Sequence, residues 1–232
     1  MGSGKTKVIS LILYFTSGII FVLLPGKSPW QLYLVIKALI IPFLIMFFIS
    51  GTRLHRGTGQ LMIIAALLFS WFGDILLEIP SKTGSFFVPG LLSFLIAHIM
   101  YFLVFIKTPG KNYLVSWRLL WLIPVFLFGF FLVSFLYNDL NELKLPVIIY
   151  AIVILSMLSA AINRKEKVNT ASFRLVIAGA ILFVVSDSSI AVSKFSFRFS
   201  SPDIVIMSTY LAAQYLIISG LIKQFPRKES KG

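Results

Sequence analysis

Asp74 and Asp187 are the residues in this sequence best placed to do chemistry. Each is a carboxylate inside an apolar run, Phe69-Ser70-Trp71-Phe72-Gly73-Asp74-Ile75-Leu76-Leu77-Glu78 and Val185-Ser186-Asp187-Ser188. A charge at membrane depth costs roughly 2.5–3.5 kcal/mol on insertion scales, so it persists where it faces a polar interior and marks a candidate functional site. Lys37, inside Val35-Ile36-Lys37-Ala38-Leu39, and His98 raise the same question. Two carboxylates brought close in a low-dielectric site divide their titration, so that one keeps a proton to donate while the other stays ionised. Glycosidases use that division to open an acetal through an oxocarbenium-like state. A vinyl ether is open to the same treatment. Protonation of its double bond gives an oxocarbenium ion, water captures it, and the hemiacetal collapses to an aldehyde and an alcohol.

The elements that must carry these residues follow from composition. The chain has 232 residues, 58% hydrophobic and 12% charged, with mean hydropathy +0.96. Soluble domains are about 45–50% apolar and about 25% charged, so the pattern is that of a polytopic membrane protein. With about 20 apolar residues per crossing, eight stretches qualify: Val8–Leu24, Trp30–Ser50, Gln60–Ile79, Phe86–Ile106, Ser116–Leu136, Leu145–Ile162, Phe173–Val192 and Asp203–Ile222. Short breaks such as Pro25-Gly26, Pro109-Gly110 and Ser201-Pro202 separate them. The expectation is an all-α fold, with residues 1–232 forming a single transmembrane domain, one bundle of eight helices. The first run lacks a small-residue cleavage site and is followed by further spans, so it reads as a span and not as a removable signal.

The net charge of +13 would suggest nucleic acid in a soluble protein. Here it reads as topology, with no nucleic-acid partner. Of the 21 lysines and arginines, Lys37 is intramembrane. Fifteen of the others fall on the side of the termini, and only Lys27, Lys82, Lys144, Lys194 and Arg198 fall on the opposite side. By the positive-inside rule both termini are cytoplasmic, in the cell membrane or, in a eukaryote, the endoplasmic reticulum membrane. The even span count agrees. His55 lies in a cytoplasmic loop and reads as solvated.

Depths can then be compared at about 1.5 Å rise per residue. Lys37 and Tyr210 lie about 10 Å below the non-cytoplasmic helix ends, Asp74 and Asp187 about 7–8 Å, and His98 and Gln214 about 16–18 Å. Asp74 with Glu78, and Tyr210 with Gln214, are four apart on a helix face, and His98 with Tyr101 three apart. Gly73 and Gly179-Ala180 permit close helix approach. Polar residues from five runs thus share one zone. The competing reading is a purely structural network, with an Asp74–Lys37 ion pair and with His98 and Gln214 bridging helices. Lys37 could also snorkel to the surface.

Other chemistries fit less well. The absence of cysteine excludes thiol nucleophiles, disulfides and iron–sulfur clusters. Ser70 and Ser186 lie outside any nucleophile-elbow motif. With one intramembrane histidine, a three-histidine zinc site is impossible, and a mixed Asp74, Asp187 and His98 metal site is the weaker option. The expectation is no metal and no cofactor.

The ordered motifs resemble the YhhN family of eight-helix membrane proteins, which includes the animal lysoplasmalogenases. The resemblance rests on Lys37 with Pro42, Gly73-Asp74-Ile75-Leu76-Leu77, and Gly90 followed by Phe94-Leu95-Ile96-Ala97-His98-Ile99-Met100-Tyr101. It continues through Gly179-Ala180-Ile181-Leu182-Phe183, Ser186-Asp187, Ile190-Ala191, Tyr210, Gln214 and Gly220. It implies hydrolysis of the vinyl-ether bond of a lysoplasmalogen, a lysophospholipid drawn from among the membrane lipids. The products are a fatty aldehyde and glycerophosphocholine or glycerophosphoethanolamine. On it, Asp74 and Asp187 form the catalytic acid/base pair. His98, Tyr210 and Gln214, with Glu78, Ser186 and Tyr101, orient water and substrate, and Lys37 holds a phosphate or tunes an aspartate. The alternatives are a hydrolase of another lysolipid or ether lipid, and a small proton-coupled lipid-binding or transport protein. No internal repeat supports transport.

Overall fold

Pro42 stands in the middle of the second apolar run and has no amide hydrogen, so the carbonyl of Ala38 loses its helical donor. In lipid such a carbonyl must be satisfied by a neighbour. In the computed structural model Trp71 does this, its Nε1 donating to Ala38 O at 2.8 Å. The bond pins the second helix to the third beside Lys37 and Asp74, which is where the chemistry is expected.

The structure describes residues 2–24, 29–52, 57–80, 86–108 and 118–224. Among them the regular structure is helical: α1 Gly2–Leu23, α2 Trp30–Gly51, α3 Thr58–Glu78, α4 Phe87–Ile106, α5 Arg118–Leu136, α6 Lys144–Ile162, α7 Thr170–Phe195 and α8 Pro202–Gln224. A short 3₁₀ turn, Asn141–Leu143, leads into α6. All eight expected spans therefore form helices. Seven are long and apolar enough to cross a membrane, whereas the described apolar part of α5, Leu120–Leu136, is shorter. The expected start of the fifth span at Ser116, the loop residues Lys27, Arg53, His55, Arg56, Lys82 and Lys111, and the breaks Pro25-Gly26 and Pro109-Gly110 lie outside the described residues.

This is a multi-pass membrane bundle. Its outer surface is apolar, with Leu120, Phe130 and Phe131 of α5 about two-thirds exposed, as suits side chains facing lipid. The closest pairings are α7 with α8, α3 with α4 and α1 with α2, while α4 also packs on α6 and α5 lies outermost against α6 and α7. Glycine allows two of these contacts. A Cβ at Gly179 would stand 2.7 Å from Ala213 O, and one at Gly73 would stand 2.6 Å from the Phe94 ring. Both crossings place the aspartate-bearing helices against partners that carry the site's tyrosines and histidine.

The termini-side end is tied by Arg164, fully buried just beyond α6. It donates to Ser172 Oγ at 3.2 Å and Gln224 Oε1 at 2.6 Å. Burial pulls its guanidinium down to about 10. Asn169 caps α7, accepting from Ser172 N at 2.8 Å.

Candidate functional site: two buried carboxylate networks

Asp187 projects from α7 toward α4 and α6. His98 Nε2 lies 2.9 Å from Asp187 Oδ2, and the Tyr150 hydroxyl donates to the same oxygen at 2.5 Å. His98 Nδ1 is buried without a hydrogen-bond partner among the described residues. Two small cavities adjoin Asp187 and Tyr150. One of about 50 Å³ is bounded by α5, α6 and α7, and the other of about 40 Å³ by α3, α4, α6 and α7. Each has room for at least one water molecule.

Asp74 projects from α3 toward α8. Tyr210 donates to its Oδ2 at 2.7 Å. Gln214, one turn deeper on α8, accepts from Tyr101 OH at 2.7 Å and donates to Ser70 Oγ at 2.9 Å. Asp74, His98, Tyr101, Tyr210 and Gln214 are all under 5% exposed, so these hydrogen bonds lie in a buried network set by the helix packing.

The two networks touch. His98 and Tyr101 lie one turn apart on α4, and the Phe183 ring packs on both, 4.7 Å from His98 and 6.4 Å from Tyr101 between centroids, and 5.6 Å from Tyr210. Asp187 lies within electrostatic range of Asp74. No hydrogen bond links the two carboxylates directly. The structure therefore joins Asp74, Tyr101, Tyr210 and Gln214 in one cluster and His98 with Asp187 in the next.

Three of the expected site residues lie apart. Lys37 pairs with Glu78 at 3.1 Å, not with Asp74. Glu78 stands one turn nearer the helix ends than Asp74, so the long lysine chain keeps its charge toward water, as snorkelling requires. The Asp74–Lys37 ion pair of the structural alternative does not form. Ser186 donates to the backbone carbonyl of Ile206 at 3.1 Å, a link between α7 and α8. Among the described residues no three His, Asp or Glu side chains gather around a point, so the mixed Asp74, Asp187 and His98 metal set does not converge.

Tyr150 and Tyr14 were not among the expected residues. Tyr14 is fully buried and donates to Leu211 O at 2.8 Å, within electrostatic range of Asp74. Tyr150 is six residues into α6, or about 9 Å deep at the helical rise. That is close to the roughly 7–8 Å expected of both aspartates, and it was the available signal.

A family model described as the YhhN family matches residues 32–221. This chain belongs to the YhhN family. The match spans α2 to α8 and so includes every carboxylate, histidine and tyrosine of the two networks except Tyr14. Among relatives of this YhhN protein, a Bos taurus protein named lysoplasmalogenase is 31% identical over 227 residues, covering 92% of this chain and 88% of its own. A Homo sapiens lysoplasmalogenase is 31% identical over 165 residues, 71% of this chain and 65% of its own. A Mycobacterium tuberculosis lysoplasmalogenase is 28% identical over 167 residues, 71% and 61%. No solved structure matches.

Proposed function

We propose that this YhhN protein is a membrane-embedded lysoplasmalogenase-like hydrolase that cleaves the vinyl-ether bond of a lysophospholipid by acid/base catalysis. The single observation that carries the mechanism is the difference between the two carboxylates. Asp187 has two partners on one oxygen and adjoins water-sized cavities. Asp74 accepts one tyrosine bond in a buried cluster.

Because cavities adjoin Asp187, Asp187 with His98 is the water-activating side in this reading. Asp74, with an oxygen left over from the Tyr210 bond, is the proton donor. In this reading Asp74 delivers its proton to the distal carbon of the double bond, and the positive charge moves to the ether-bearing carbon as an oxocarbenium ion. A water beside Asp187 adds to that carbon and gives up a proton to the Asp187–His98 pair. The hemiacetal then breaks its bond to the glycerol oxygen, which takes a proton, releasing a fatty aldehyde and the glycerophospho head group. One water is consumed and the proton count balances. The neighbouring carboxylates stabilise the cation as it forms, which is where such groups contribute most.

A bundle of this kind suits a single-chain lipid, whose tail can lie among apolar helices while its glycerol linkage reaches a polar zone. The orientation we favour keeps both termini cytoplasmic and opens the site toward the opposite face. The direct test offers the purified protein three lysolipids that differ only at the sn-1 linkage: ester, alkyl ether and vinyl ether. Fatty aldehyde from the vinyl ether alone supports the reading. Release of fatty acid from the ester, with the vinyl ether intact, would assign a different hydrolase.

A further inference from the structure

A larger cavity, about 480 Å³, opens where α1, α2, α3 and α8 end on the side opposite the termini. Its volume falls in the range of small-molecule sites, about 300–1,000 Å³. Lys37 and Glu78 face into it, with Phe21 and Tyr33 on one wall and Ser201, Ile204 and Met207 on the other. The ion pair is largely enclosed, with side chains 11% and 21% exposed. The Lys37 ammonium also lies 5.4 Å from the Phe21 ring centroid, and Phe21 packs edge-on against Tyr33 at 5.6 Å. A second carboxylate, Asp203, reaches the rim but is exposed and pairs with Arg198 at 3.5 Å. Ser201 enters α8 at φ 54°, the left-handed region that costs a residue with a side chain.

These parts match a zwitterion that carries a phosphate and an ammonium a few bonds apart. A phosphate takes a lysine ammonium as a charge-assisted partner. A quaternary or primary ammonium takes a carboxylate together with the faces of aromatic rings. A partly enclosed Lys–Glu pair bordered by Phe21 and Tyr33 can open to receive such a dipole, with each half exchanging its present partner for the ligand's opposite charge. The site is also placed at the right height. Glu78 and Asp74 are four residues apart on α3, about 6 Å along its axis, and Met207 and Tyr210 are one turn apart on α8. A glycerol unit has comparable reach between its phosphate and its sn-1 oxygen.

We infer that this cavity takes the phospho-ammonium head group of the lysolipid, Lys37 holding the phosphate and Glu78 with Phe21 and Tyr33 holding the ammonium. The inference rests on the proposed lysolipid substrate, and it adds a binding site whose occupancy can be read without any hydrolysis. The purified full chain, in a non-ionic detergent, is titrated calorimetrically with glycerophosphocholine, glycerol 3-phosphate and choline. Glycerophosphocholine binding at least tenfold tighter than either fragment is expected. Lys37→Gln should lower the affinity for glycerophosphocholine and glycerol 3-phosphate at least tenfold. Glu78→Gln should lower it for glycerophosphocholine and choline and spare glycerol 3-phosphate. Ile204→Trp, at an exposed position on the cavity wall, narrows the space without touching the ion pair and should weaken all three ligands, which covers the case of an unfolded charge variant. Equal affinity for glycerophosphocholine and glycerol 3-phosphate, or unchanged binding in Lys37→Gln, overturns the inference. Displacement of bound glycerophosphocholine by two-chain phosphatidylcholine as readily as by the lysolipid overturns it too, since the site would then belong to bulk lipid. Selective binding without aldehyde release from any vinyl ether sustains the head-group site and removes the hydrolase reading instead.

Discussion

Replacing Tyr150 by phenylalanine deletes one hydroxyl and keeps the ring that packs 5.5 Å from His98 between centroids. The lost bond is the 2.5 Å donation to Asp187 Oδ2, leaving that oxygen with His98 alone. Hydrogen bonds to charged groups contribute about 1.5–3 kcal/mol. If that stabilisation holds Asp187 ready to take a proton from water, its loss lowers kcat by about 10- to 150-fold at about 1.4 kcal/mol per decade. KM should change little, because Tyr150 does not line the cavity assigned to the head group. The assay is fatty-aldehyde release from lysoplasmenylcholine by purified wild type and variant in the same detergent, with size-exclusion elution as the folding check. A variant with full kcat would refute the role given to the Asp187 network. A variant with intact kcat and a large rise in KM would place Tyr150 in substrate binding.

Two further perturbations test the frame that holds the site. Gly179→Ala places a Cβ 2.7 Å from Ala213 O and 2.9 Å from Ile217 N, both backbone atoms that cannot rotate away. It should push α7 from α8 at a cost of about 1–3 kcal/mol, measured as a lower Tm in detergent. Trp71→Phe leaves the Ala38 carbonyl without its donor, at about 1–3 kcal/mol. Pairing it with Pro42→Ala restores an amide hydrogen to that carbonyl, so the double variant should regain most of the lost Tm. A double variant no more stable than Trp71→Phe would show that the bond is incidental.

Helix existence and order were legible in the sequence because apolar length alone decides them in lipid, and the eight runs return as helices, although α1 begins six residues before the expected Val8. Relative height was legible only in part. Asp74 and Tyr210 meet as their residue counts suggest, but His98, counted about 9 Å deeper than Asp187, lies against it, because α7 extends to Phe195. Rotation about each helix axis was not legible. Lys37 and Asp74 lie at similar depth on neighbouring helices, yet Lys37 turns to Glu78, where its charge reaches the cavity mouth. Ser186 adjoins Asp187 in sequence, but its hydroxyl meets the α8 backbone, as a step of about 100° between successive helical residues allows. Tyr150 was overlooked because a tyrosine in an apolar run ordinarily reads as packing or as an interfacial anchor. Its bond to Asp187 depends on α6 packing beside α7, which no local pattern in α6 encodes.

Protonation of carbon followed by capture of water leaves a signature in the product. Purified wild type, incubated with lysoplasmenylcholine in D₂O, should release fatty aldehyde carrying one deuterium on carbon 2. Asp74→Asn and Asp187→Asn should each slow that release by about 10²–10⁴, the range for general acid–base groups. Aldehyde without the deuterium, or wild-type rates in either asparagine variant, would contradict catalysis by this carboxylate pair.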